Sequence, residues 1–400
     1  MTAPGAVPLA EVVALLDAAR PGGRADGGAP AGLVCGDPGS GAAVRRVLFV
    51  VDVVAGTVAE AVRAGADLLV AHRAPYARGM GAPSGAGLDG RLLYRLARSG
   101  VPLYIAGPDG EGGRDAGAVS DALARRLGLR DVRPLVPVRE RLDQVVAFVP
   151  GADAGKVIDA LSGAGAGVVG DYSRCVWTTE GTGSFLPGAG ARPAVGSVGR
   201  ITEEPETRVE MVAPRSLRDA VTAALHAAHP YEEPAYYLYE LAGTLSDRGR
   251  GRLGELPEPA TLSEFAARVA ARLPAMPAGV RAAGAPGRTI RTVAVHGGDG
   301  EGLLADAERS GADAFVTGEL RRDPAADCLA AGGPALVVAG HWATLRPWLD
   351  VAAARLGRDL ADAGRPPVAA LVSDLVTDPW TVFGSGGARD GEQVGHLDRE

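Results

Sequence analysis

Residues 60–72 read EAVRAGADLLVAH, and residues 306–318 read DAERSGADAFVTG. Each copy is a helix end, a Gly-Ala-Asp turn and a buried apolar strand, so the chain reads as two related α/β halves. The surroundings repeat as well. VLFVVD (47–52) precedes the first copy and TVAVH (292–296) the second, while VPLYIAG (101–107) answers PALVVAG (334–340) further on. Short apolar runs of this kind are parallel strands covered on both faces, and ligands collect beyond their carboxyl ends. That rule selects His72, the loop after Ala106, and His341.

Four hundred residues exceed what one core normally organises, and 46% hydrophobic content suffices to bury two or three domains. Aromatics are only 4% while glycines number 58, the mark of a GC-rich genome with Ala and Val filling core positions. A net charge of −7 without any Lys/Arg-rich run excludes the basic face that nucleic acid requires. The three cysteines, Cys35, Cys175 and Cys328, form no C-x-x-C pair, which fits a reducing compartment and argues against a Cys-type zinc site. With neither a signal-peptide pattern nor a run of about 18 apolar residues, a cytoplasmic chain outside the membrane is expected.

Between the halves lies a segment with its own rhythm. QVVAFVP, SRCVWTT, SVGRITEE, RVEMVAP and AYYLYEL read as strands, with helices over 153–162 and 216–228. The order is that of a βαββαβ ferredoxin-like sandwich, an antiparallel sheet covered on one face by two helices. The expected domains are therefore a first half over 1–138, an inserted α+β domain over 139–244 and a second half over 245–383. A Gly-rich, charged tail over 384–400 is expected to be disordered.

Histidine at the end of an apolar strand faces a cleft instead of a core, and His72 and His341 occupy corresponding strand ends. The loop GPDGEGGRDAG (107–117) brings Asp109, Glu111 and Asp115 to the same edge. Imidazoles and carboxylates together suit a Zn, Mn or Fe type ion, which would make hydroxide near neutral pH. The bland readings are a loop-capping histidine and a solvated acidic loop. His229, in HPYEEP, shapes a turn more readily than it reacts, and His226, His296 and His396 read as structural or solvated. GGDGEG (297–302) opens a helix and suits either a phosphate or a tight turn.

These residues also carry a resemblance. ADLLVAHRAPYARG resembles the signature of the dinuclear metal-centre hexamer family, the GTP cyclohydrolase 1 type 2 homologues, in which this strand ends in His-His-Pro. GLVCGDP, GVPLYIA, GADAFVTGELR, AGHWAT and VTDPW are similar to that family in the same order, over nearly the whole chain. DYSRCVWTTEGTGSF (171–185) and HPYEEPAYYLYEL (229–241) resemble the PII/CutA-like insert carried by a subset of it.

The resemblance implies a toroidal homohexamer with a two-metal site built from the His-His pair, a loop aspartate and a His-x-x-x-Glu. His72 matches the first histidine and His341 the last, but Arg73 holds the second histidine position and Leu345 the glutamate position. Glu111 falls where the bridging aspartate belongs. A guanidinium cannot give up a proton to ligate a metal. One divalent ion at most is expected, on His72, Glu111 and His341, and no residue is assigned a catalytic role. Three functions follow: a metal-dependent hydrolase of a nucleotide-like or cyclic amide substrate, a degenerate scaffold that binds an anionic metabolite, or a regulatory module acting through the insert.

Overall fold

The computed structural model of the chain describes residues 5–18, 31–75, 87–107 and 118–382. Its first stretch runs β1 (Val7–Pro8), α1 (Leu9–Ala18), β2 (Gly32–Cys35), β3 (Ala43–Val44), β4 (Arg46–Asp52), α2 (Ala55–Arg63) and β5 (Leu68–Arg73). Next come α3 (Leu88–Arg98), β6 (Leu103–Ile105), α4 (Ala118–Leu127) and β7 (Arg130–Glu140). The middle stretch is β8 (Leu142–Pro150), α5 (Ala154–Gly163), β9 (Trp177–Phe185), β10 (Thr202–Pro214), α6 (Arg218–Ala228) and β11 (Tyr236–Glu240). The chain returns through β12 (Thr244–Thr261), α7 (Leu262–Arg272), β13 (Arg281–Ala283), β14 (Thr289–Asp299), α8 (Leu304–Arg309) and β15 (Ala314–Glu319). It closes with α9 (Arg322–Ala330), β16 (Ala335–Val338), α10 (His341–Asp362) and β17 (Ala369–Val372).

The two Gly-Ala-Asp turns are built alike. After α2, Gly65 takes φ 58°, and after α8, Gly311 takes φ 71°, the left-handed conformation that ends a helix without a Cβ clash. The alanines, Ala66 and Ala312, are buried. Asp67 Oδ2 accepts the backbone N–H groups of Arg45 and Arg46 at 2.8 and 2.9 Å, and Asp313 Oδ2 accepts those of Arg291 and Thr292 at 2.9 and 2.8 Å. Each aspartate thus pins the new strand to the start of the preceding one.

Contacts divide the chain into one unit of residues 1–138 with 247–400 and a second of residues 139–246. The first unit holds a five-stranded sheet, order β17-β4-β5-β6-β2, a six-stranded sheet, order β13-β16-β15-β14-β12-β7, and the short pair β1-β3. Strands β17, β4, β5 and β6 run parallel, as do β14, β15 and β16, so both sheets carry a parallel centre. Strand β17, late in the chain, pairs with β4, and β7 joins the sheet of β14, so each sheet borrows a strand from the other half of the sequence.

One core serves both sheets. Phe49, Val70 and Tyr104 from one and Val295, Val316 and Val337 from the other are buried in it. Helix α10 packs against β4 and β17 of the first sheet and β14 and β15 of the second, with Trp342, Leu345 and Leu349 buried. Its first residue, His341, therefore lies where the strand ends of both sheets can reach it.

The second unit is an antiparallel four-stranded sheet, order β11-β8-β10-β9, with α5 and α6 packed on the face bearing Val145, Val149, Val209 and Met211. RVEMVAP and the last three residues of SVGRITEE, read as separate strands in the sequence, lie on the single strand β10, and residues 197–201 are not strand. The apparent break is Pro205, which pairs only with β9 because β8 begins pairing at Glu206. One side of the strand is open there, and a missing N–H is tolerated on an open edge. Among the described residues no helix is long and apolar enough to cross a membrane.

Candidate functional site

Asp52 ends β4, Arg73 ends β5 directly opposite it in register, and Asp299 ends β14. Both sheets thus deliver polar side chains at their carboxyl edges, and α10 starts between them. Gly340 precedes that helix at φ 89°, a turn that only glycine makes without strain. Crowding then fixes His341: a Cβ on Gly318 would stand 2.6 Å from the Gly298 carbonyl and 2.9 Å from the His341 Cα, and one on Gly298 would stand 3.2 Å from the His341 ring. Within GGDGEG it is Gly298 that serves this close approach, while Gly300 makes room for Thr317 and Phe315 and Gly302 faces open space. Thr344 Oγ1 accepts the Gly298 N–H at 3.0 Å and donates back along α10, while Thr317 Oγ1 donates to the Gly298 carbonyl at 2.9 Å.

The central contact is between Arg73 and His341. Arg73 Nη1 lies 3.1 Å from His341 Nε2. A guanidinium has only donors, so Nε2 must be the acceptor, and the ring is neutral with its proton on Nδ1. Its electrostatics agree: burial first and the Arg73 charge second hold His341 below the ordinary histidine range, against the pull of Asp52, Asp299 and Asp378. Each of those carboxylates is engaged locally. Asp52 accepts the Thr377 hydroxyl, Asp299 the Glu301 amide at 3.1 Å, and Asp378 the Trp380 amide at 3.0 Å.

His72 sits one residue before Arg73 but is turned into the core, 5% exposed, with its ring edge-to-face on Trp348 at 5.2 Å. Trp348 lies seven residues along α10 from His341, so that one helix meets both strand-end residues. Leu345 is 1% exposed in the same core. Glu111, with Asp109 and Asp115, lies outside the described residues, as does the tail with His396. Among the described residues no cluster of three or more His, Cys, Asp or Glu side chains is arranged to hold a metal ion.

The residues present do not fit a pair of metal ions. The Nε2 lone pair of His341 accepts from Arg73, and apolar Leu345 stands where the resemblance implies a carboxylate. A single ion on His72, Glu111 and His341 would first have to displace the guanidinium.

His229 and His296 are held by their own neighbours. His229 Nε2 donates to the Phe148 carbonyl at 2.9 Å while its Nδ1 accepts the Tyr231 N–H at 3.1 Å, and burial holds it below the ordinary range. Burial also pushes His296 down to about 4, with the Ser120 hydroxyl 3.5 Å from its Nδ1. The sequence reading passed over Asp52, Asp299 and Asp378. Their signal was available, since Asp52 and Asp299 end their strands and Asp378 lies in VTDPW.

Comparison with known proteins matches residues 7–379 to the Duf34/NIF3 (NGG1p interacting factor 3) family. A Mycobacterium leprae protein named GTP cyclohydrolase 1 type 2 homolog is 40% identical over 377 residues, covering 94% of this chain and 95% of its own. A Bacillus subtilis protein of the same name is 36% identical over 301 residues, 75% of this chain and 79% of its own. A solved Bacillus cereus protein related to NIF3 superposes with a TM-score of 0.78 at 32% identity, covering 96% of this chain and all of the other.

Proposed function

Because the chain belongs to the Duf34/NIF3 family, we propose that it uses the family's strand-end cleft to bind a small anionic metabolite, with Arg73 supplying the positive charge. The contact between Arg73 and His341 carries this reading. An exposed guanidinium at a strand end, beside the N-terminus of the 22-residue helix α10, presents donors and positive potential to a phosphate or carboxylate. His341 holds the guanidinium in place without competing for its charge. The name carried by the relatives points to a nucleoside triphosphate, whose phosphates suit such a group, so GTP and its fragments are the first ligands to try.

Thermal shift in EDTA with phosphate, pyrophosphate and GTP tests this. Anion-dependent stabilisation that disappears in Arg73→Ala supports the reading, and no stabilisation by any of the three removes it.

A second reading has one observation in its favour: Asp52, Asp299 and Asp378 all pull His341 toward its protonated form, a field that favours a cation. On it, one Zn, Mn or Fe type ion sits on His72, Glu111 and His341 and supplies a hydroxide for hydrolysis. Elemental analysis of the purified chain with a native mass separates the two and reports any homohexamer. The strand order of residues 139–246 supports a ferredoxin-like, PII/CutA-like insert between the halves, and a cytoplasmic oligomer completes the proposal.

A further inference from the structure

The sheet of residues 139–246 has helices on one face only, and its other face carries a set of side chains that the strand-end cleft does not use. Along β10, Val209 and Met211 face the helices, so Glu206, Arg208 and Glu210 alternate to the opposite side. A cavity of about 550 Å³ lies there, lined among others by Phe148, Phe185, Glu206, Arg208, Tyr231 and Tyr237. That is the size and make-up of a small-molecule site, mostly apolar with a few polar anchors.

We propose that this cavity binds a small organic cation with a flat, aromatic-sized body, its N–H donors directed at Glu206. Glu206 is only 9% exposed, and the chain makes room for its carboxylate with Gly183 on β9, where a Cβ would stand 2.2 Å from Oε2. Desolvating a carboxylate is costly unless something compensates it. The buried Tyr231 hydroxyl stands beside that carboxylate, a donor positioned to serve Glu206 and an atom a ligand can meet as well. Burial and the Glu206 charge push that phenol up to about 12, so it stays a donor.

The rings supply the rest. Phe148 meets Tyr237 edge-to-face at 5.7 Å and Phe185 meets Tyr231 at 5.9 Å, which leaves π faces for a cation. Charge decides the sign of the ligand. Arg208 and Arg192 also line the cavity, but Arg208 is paired with Glu210 at 2.7 Å and stands over the Phe148 ring at 5.9 Å. At the rim Glu233 adds a carboxylate, and Glu232 accepts the Arg192 backbone N–H at 3.1 Å. Three carboxylates, Glu206, Glu232 and Glu233, thus outnumber the two guanidinium groups of the lining, and Glu206 is the buried one that an anion would meet.

The test uses the full chain and three probes of one shape: benzamidine, benzamide and benzoate, titrated by calorimetry or ligand-observed NMR. Benzamidine should bind at least about tenfold more tightly than benzamide, with benzoate weaker still. Glu206→Gln should erase that preference, and Tyr237→Ala, an exposed position that leaves folding intact, should weaken benzamidine several-fold. Benzoate binding as well as benzamidine, a preference that survives Glu206→Gln, or no saturable binding of any probe up to about 10 mM would each overturn the proposal. Because every variant lies within residues 139–246, failure here leaves the strand-end reading standing.

Discussion

Arg73 at the end of β5 donates through Nη1 to Nε2 of His341, the first residue of α10, at 3.1 Å. The two residues come from opposite halves of the chain and from beside two different sheets. Their contact places a fixed positive charge against the ring that the resemblance assigns to a metal, and it determines which ring nitrogen carries the proton.

If the guanidinium and Leu345 are what keep metal ions out, restoring the family's residues should admit them. Arg73→His with Leu345→Glu is expected to gain tightly bound divalent metal by elemental analysis relative to the parent chain. Leu345 is buried, so the apo double variant should also unfold at lower urea, and added Zn should recover part of the loss. A parent chain that already carries two ions per subunit contradicts the premise.

The crowding around α10 makes a separate prediction. Gly318→Ala brings a Cβ into backbone atoms of Gly298 and His341, which cannot swing aside as a flexible side chain would. Overpacking of this kind costs about 1–3 kcal/mol. Chemical denaturation should report that loss, and anion binding should weaken as the start of α10 moves away from Arg73. An unchanged denaturation midpoint would show that the close approach is not required.

His296 sets a pH dependence. Its folded value is held at about 4 while the unfolded chain has the ordinary 6.5, so between these values the unfolded chain binds a proton that the folded chain refuses. Its contribution is level above pH 6.5 and turns against the folded state as pH falls toward 4, by about 1.4 kcal/mol per unit and roughly 3 kcal/mol in all. The side chain keeps some exposure, so this is an upper bound. His296→Gln should flatten the urea midpoint over that window, and an unaltered slope would assign the acid sensitivity to other groups.

The paired aspartates should behave as twins. Asp67→Ala and Asp313→Ala each free two backbone N–H groups at a largely exposed strand start, a loss of about 0.5–1.5 kcal/mol apiece. A much smaller loss in one of them, measured by denaturation, would mean that the two turns have diverged in what they hold.

Those turns were legible in the sequence because their chemistry is local: a glycine to end the helix, a small residue to bury, an aspartate to catch the neighbouring strand. The strand-end location of His72 and His341 was legible for the same reason. Pairing across the chain was not. Ala369–Val372 lies beside the second half in sequence, yet it hydrogen-bonds to β4 of the first, a choice set by which sheet edge is open. Nor does any spacing rule announce that Arg73 reaches His341, 268 positions away, since the contact depends on how α10 crosses both sheets. The direction of His72, into Trp348 and the core, follows from the same crossing.

Calorimetric titration of pyrophosphate into metal-free protein, in EDTA, for the parent chain and Arg73→Ala, tests the central claim most directly. Saturable binding by the parent that weakens at least about tenfold in Arg73→Ala is the predicted result. Binding that appears only when a divalent metal is added, and that Arg73→Ala leaves unchanged, would contradict it.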